Sequence, residues 1–192
     1  MPHLYGLGPL EGLRGEVSIF GSVPSIARIE REMVVTAAIW RARACFLVWA
    51  QVPAWSERSF ERSKDADPAG LDGIEREVVA LAHEAGLDPE RPLPFRVRAT
   101  AVEATLHVLD KRDGLAHNPE RHEQAKVRRT LEHALVELVG FYSQQHRGIF
   151  TPGESNVHVH LQTEDGRISG HLETIRLAPG ARIAVPAVGW SQ

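Results

Sequence analysis

The sequence predicts an α+β fold dominated by strands, with mixed or antiparallel sheets and helices inserted between them. Three observations carry this expectation. Short apolar runs with a period of two recur through the N-terminal part, from "GEVSIFG" to "ACFLVWAQV". One segment, residues 72 to 85, has a clear apolar stripe at helical spacing. Near the C-terminal end the alternating run "VHVHLQ" stands just before "DG", a strong hairpin signal.

At 192 residues the chain is long enough for one domain spanning 1–192. A hydrophobic content of 43% with 24% charged residues is ordinary for a globular protein. The formal charge of −3, without any Lys/Arg-rich block, argues against a nucleic-acid partner. The single cysteine, Cys45, cannot close an internal disulfide and fits a reducing compartment. Its place in "ACFLVWA" predicts an inert core thiol. "MPHLYGLGPLEG" lacks the charged start and apolar stretch of a signal peptide, and no window approaches the ~20 apolar residues of a membrane span. A cytoplasmic location without a membrane partner is the expectation.

The elements follow in order. "GEVSIFG", "SIARIE" and "MVVTAAIW" read as strands, and "ACFLVWAQV" as a longer buried one. Residues 56 to 70 are polar and read as loop with some helix. In the helix that follows, Asp72 is the expected N-cap, Glu75 completes a capping box and Gly86 is the expected C′ residue. Ile74, Val78, Leu81 and Ala85 form its apolar stripe. "LPFRVRATAVEATLHVL" returns to strand, with Arg96 and Arg98 on one face and Glu103, Thr105 and His107 on the other. His107 is either a satisfied buried histidine or a member of the site. "NPERHEQAKVRRTLEH" begins as a helix capped by Asn118 with Pro119 at its first position. Both periods fit the chain from there into "ALVELVGFY". Trp40, Trp49, Trp55 and Trp190 are expected in the core or at an interface.

The histidines carry the chemistry. Alternation puts His158 and His160 on one face of a strand. With Asp165-Gly166 as the turn, Glu164 faces Arg167 and His160 lies opposite His171, their Cβ atoms ~4.5–5.5 Å apart. Three imidazoles then converge above the sheet. Zn2+ is within reach of three such nitrogens, and the open positions left over are those of a catalytic rather than a structural site. The same register places Glu173 opposite His158, as a fourth ligand, a proton donor or a strand-edge salt-bridge partner.

The stretch "LVGFYSQQHRGIFTPGESNVHVHLQTEDGRISGH" resembles the acetolactate decarboxylase family, whose segment LVGF, GI, PG and H-x-H is followed by a turn and G-H. "GLGPLEGLRGEV" is similar to the family's G-x-G-T-F-x-x-L-x-G-E opening. Together the matches cover about residues 4 to 20 and 136 to 177. The resemblance implies a zinc enzyme of mixed α/β build, a carboxy-lyase that removes CO2 from 2-hydroxy-2-methyl-3-oxobutanoate to give acetoin. It implies His158, His160 and His171 as metal ligands and Glu16 as an active-site acid–base group. It also implies an arginine after a mid-chain strand, placed at Arg112, or at Lys111 if the alignment slips by one. The sequence departs from the family in "SGH" for GGH, in the missing T-F, and in Glu173 where an apolar residue is usual. Residues 172 to 192 leave no room for the family's second active-site glutamate, which is expected to be absent.

In the expected chemistry a Lewis-acid metal carries the charge left by decarboxylation, Glu16 or Glu173 moves the proton, and Arg112 binds the departing carboxylate. Two other functions stay open. One is a zinc-dependent ester or lactone hydrolase. The other is a non-enzymatic module similar to the plant and prokaryote conserved domain of DNA-associated proteins, which lacks support from the acidic charge. The expected partner is a small-molecule substrate, with a homodimer left open.

Overall fold

Among the described residues the chain forms eleven strands and two α-helices. The strands are β1 (Leu4–Pro9), β2 (Glu16–Phe20), β3 (Val23–Glu30), β4 (Met33–Ala37), β5 (Val48–Gln51), β6 (Trp55–Ser59), β7 (Leu93–Leu109), β8 (Lys126–Tyr142), β9 (Val157–Thr163), β10 (Ser169–Leu177) and β11 (Arg182–Pro186). The helices are α1 (Leu71–Glu84) and α2 (Pro119–Gln124). The computed structural model describes residues 1–39, 41–59, 70–187 and 190. Trp40 and most of the polar stretch after Ser56 lie outside them.

Two sheets result, ordered β4-β3-β2-β1-β5 and β10-β9-β8-β7-β11-β6, and every strand pairing within them is antiparallel. β10 also pairs with β7, so the pairing β7–β8–β9–β10 returns to its start. β7 and β8 remain in one register from Leu93 opposite Tyr142 to Leu109 opposite Lys126. The run with two competing periods is therefore a strand. Only its first turn is helix, where the Asn118 side chain accepts the Arg121 N–H at 2.8 Å.

The sheets stack face to face. Tyr5, Leu7 and Phe20 of the first pack on Val139 and Phe141 of β8, with Val52 between them. On the opposite face Gly140 makes room for Phe95, since a Cβ there would lie 2.1 Å from Phe95 Cζ. On that face α1 buries Ile74, Val78 and Leu81 against Phe95, Leu138 and Ile183. Two buried side-chain hydrogen bonds tie the sheets together, Ser18 Oγ with His160 Nδ1 at 2.9 Å and Ser25 Oγ to Ser169 Oγ at 2.8 Å.

Three local expectations are corrected. α1 starts at Leu71 with Gly70 as N-cap, so the Asp72 capping box does not form, whereas Gly86 takes its C′ conformation at φ 69°. "ACFLVWAQV" is not a buried strand: β5 covers only its end and is an edge strand, with Trp49 52% exposed. Cys45 is exposed and donates to the Leu10 carbonyl. Among the described residues no helix is long and apolar enough to cross a membrane.

Candidate metal centre

The hairpin of β9 and β10 brings the three histidines together. Ser169, Gly170 and His171 face Gln162, Leu161 and His160 in the expected register. The reversal is a four-residue loop, however. Thr163 donates its N–H to Ile168 and accepts that of Gly166 at 2.8 Å, and Gly166 takes φ 69°. Asp165 closes this loop by accepting the Thr163 hydroxyl and the Arg167 N–H. Both loop lengths preserve which face each residue occupies, so His160 still meets His171.

His158 and His171 rings lie 4.7 Å apart, His158 and His160 5.2 Å, and His160 and His171 5.6 Å. One nitrogen of each lies within 4.8 Å of the others. The outer nitrogens are committed. His158 Nδ1–H donates to the Phe150 carbonyl at 2.6 Å, which leaves its Nε2 a bare acceptor 3.0 Å from His171 Nδ1. His160 Nδ1 shares a proton with Ser18 Oγ, and its Nε2, fully buried, has no partner. Burial pushes His158 down to about 4 and holds His160 and His171 well below the ordinary histidine range, with each neighbouring imidazole adding to the effect. All three are neutral nitrogen donors.

Glu16 joins them from β2. Its Oε2 lies 3.8 Å from His160 Nε2 and its Oε1 is buried without a partner. Burial raises this carboxyl well above the usual range, against a lowering from the Leu109 backbone N–H. Two orphaned buried atoms beside a cluster of neutral imidazoles are what a cation would satisfy. Three neutral nitrogens suit Zn2+, and the held Nδ1 positions of His158 and His160 are the outer contacts that fix such ligands.

No protein-family model and no curated protein match the chain. Solved structures do. The alpha-acetolactate decarboxylase of Bacillus subtilis strain 168 aligns with a TM-score of 0.73 at 14% identity, over 96% of this chain and 74% of that one. A Staphylococcus aureus protein of unknown function, similar to alpha-acetolactate decarboxylase, gives 0.69 at 12% identity, over 96% and 73%. The acetolactate decarboxylase of Bacillus subtilis subspecies spizizenii gives 0.67 at 14% identity, over 95% and 72%.

The chain has the acetolactate decarboxylase fold.

In this example of the acetolactate decarboxylase fold, a cleft of about 490 Å³ opens above the histidines. Glu16, His158 and His171 form its floor, Phe46, Ile149 and Phe150 an apolar wall, and His107, His122 and Lys126 a polar one. Glu173 is not on this cleft. After His171, β10 leaves β9 for β7, and a bulge between Leu172 and Thr174 turns Glu173 aside. Its carboxylate accepts from His107 Nδ1 at 2.9 Å and Arg128 Nε at 2.7 Å, and these partners hold it down at about 2. Arg112 is also elsewhere: 58% exposed, it bonds Asp110 and the Ile29 carbonyl. Lys111 bonds Asp113 and the Leu115 carbonyl.

The sequence did not point to Lys126 at all. His107 it left open; paired with His171 across β7–β10, its ring stacks on His171 at 4.5 Å and 26°. Burial lowers its pKa, so neutral His107 donates Nδ1–H to Glu173. Only alternation along β7 hinted at it, since the β7–β10 pairing has no signature in residue spacing.

Proposed function

We propose that this chain is a zinc-dependent decarboxylase acting on a 2-hydroxy-3-keto acid, of the acetolactate-to-acetoin type. The observation that carries the reading is the convergence of three neutral imidazoles beside a buried carboxyl with one unpartnered oxygen, His158, His171 and Glu16 among them lining one cleft. The fold adds support, since two of the similar solved structures are acetolactate decarboxylases.

Decarboxylation breaks the bond from C2 to the carboxyl carbon, releases CO2 and leaves an electron pair on C2, where a proton must then arrive. Zinc, when bound, supplies the Lewis acidity that stabilises the resulting negative charge. His158, His160 and His171 hold the ion, their orientation set by the Phe150 carbonyl and Ser18 Oγ. Glu16 carries the proton at the cleft floor and delivers it to C2. Lys126 takes the cationic role that the family resemblance implied for Arg112, because it lines the cleft. Glu173 acts through His107 as a positioning residue, with its charge fixed by Arg128. The Phe46 and Phe150 wall excludes water from the reacting carbon.

Purified protein is expected to carry about one zinc per chain, by the three-nitrogen donor set, and the H158A/H160A double variant none. Metal retained by that variant refutes the centre. Metal-loaded protein is expected to form acetoin from racemic acetolactate. Absence of turnover, with hydrolysis of simple aryl esters instead, moves the assignment to a zinc hydrolase.

A further inference from the structure

A second cleft, of about 730 Å³, shares no lining residue with the first. Leu10 and Asp110 face it, while the residues preceding them, Pro9 and Leu109, face the histidines. Strand alternation at the ends of β1 and β7 thus serves two sites. We propose that this second cleft binds the phosphate group of a small organic phosphate.

The charge balance is the first argument. Four arginines line the cleft: Arg14 after the Glu11–Leu13 turn, Arg28 on β3, and Arg41 and Arg43 before β5. Arg43 is paired with Glu11 at 3.4 Å, and Asp110 is neutralised by Arg112 at 2.8 Å. The side chains of Arg14, Arg28 and Arg41, of which Arg14 and Arg41 are exposed, have no ion pair or hydrogen bond among the described residues, against one unpaired carboxylate, Glu30. A surplus of positive charge therefore sits in a chain whose net charge is −3.

Arg28 supplies the second argument. It is half-buried, and its stem packs on Gly15, where a Cβ would come 3.2 Å from Arg28 Cγ and 2.3 Å from the Ala27 carbonyl. Its stem is thus held in place while the guanidinium, open to water, has no protein acceptor among the described residues. The floor is apolar, with Leu10 and Ile29 3% and 8% exposed. Three guanidinium forks facing one cleft suit a dianion with three peripheral oxygens, whereas one carboxylate fills a single fork. The apolar floor suits the organic remainder.

Phenyl phosphate is the simplest probe with both parts, and calorimetric titration of chelator-treated protein keeps the metal centre out of the measurement. Saturable binding is expected, weakened about tenfold or more in R28Q and in R14Q by loss of a charge-assisted contact, and much weaker for benzoate. Circular dichroism and zinc uptake are expected to match the parent chain in both variants. No saturation at millimolar probe overturns the proposal, as does parental affinity in R28Q and R14Q, or benzoate binding as well as phenyl phosphate. None of these outcomes bears on the decarboxylase assignment, which is read from zinc and acetoin.

Discussion

At the scale of single residues, the site is built from groups denied their usual partners. His160 is a fully buried imidazole with one nitrogen on Ser18 and the other bare, and Glu16 sits beside it with an unpartnered oxygen. An apolar core would not keep such atoms, because each unpaired buried polar atom costs about 1–3 kcal/mol. Replacing Glu16 by Gln preserves shape and removes the transferable proton. E16Q is expected to fold and bind zinc as the parent does, while acetoin formation falls at least about a hundredfold. Steady-state kinetics alongside metal analysis checks this, and a near-parental rate would remove Glu16 from the chemistry. His158, His160, His171 and Glu16 were legible because local spacing or a short motif fixes each. Arg112 was not. Its place depends on how the chain turns after Leu109, and Asp110 beside it captures the guanidinium.

Among the elements, the β9–β10 hairpin was legible for a reason of parity. The loop has four residues where two were expected, yet the partner of His160 is unchanged, since only an odd change in length swaps the faces. Glu173 was misplaced because the register was extended past the point where β10 changes partner. β5 was misjudged because an apolar run says nothing about which edge it occupies. Gly170 is where β10 and β7 meet: a Cβ there would lie 2.6 Å from the His107 carbonyl and 2.9 Å from Leu106 Cδ1. G170A is therefore expected to lower stability by about 1–3 kcal/mol through overpacking and to weaken zinc binding by displacing His171. Denaturant unfolding and metal titration measure the two effects. Parental values for both would mean that β10 does not pack so closely on β7.

For the whole molecule, the buried ionisable groups make the stability of the metal-free state depend on pH. His158, His160 and His171 have folded pKa values below the ordinary 6.5, so an unfolded chain takes up protons below that pH that the folded one does not. Stability therefore falls on acidification from 6.5. Glu16 acts in the opposite sense: its folded pKa is raised above the ordinary 4.5, so the stability tied to its proton declines as pH climbs. Between 4.5 and 6.5 these three histidines, joined by His107, outweigh one glutamate. Thermal melts of chelated protein are expected to shift upward as pH is raised from 5 to 6.5. A stability that decreases steadily from pH 5 to 7 would contradict the arrangement. The fold class was legible because alternation is a local property; the stacking of two sheets was not, since it rests on contacts between segments over a hundred residues apart, such as Ser18 with His160.

The circuit β7–β8–β9–β10 has one further consequence. Strands that return to their starting neighbour present no seam to peel, so an ion cannot reach the imidazoles by parting the sheet. It must come through the cleft that Ile149 and Phe150 help to line. The pace at which an ion would enter and leave is thus governed by that cleft, independently of how firmly the rest of the sheet is knit.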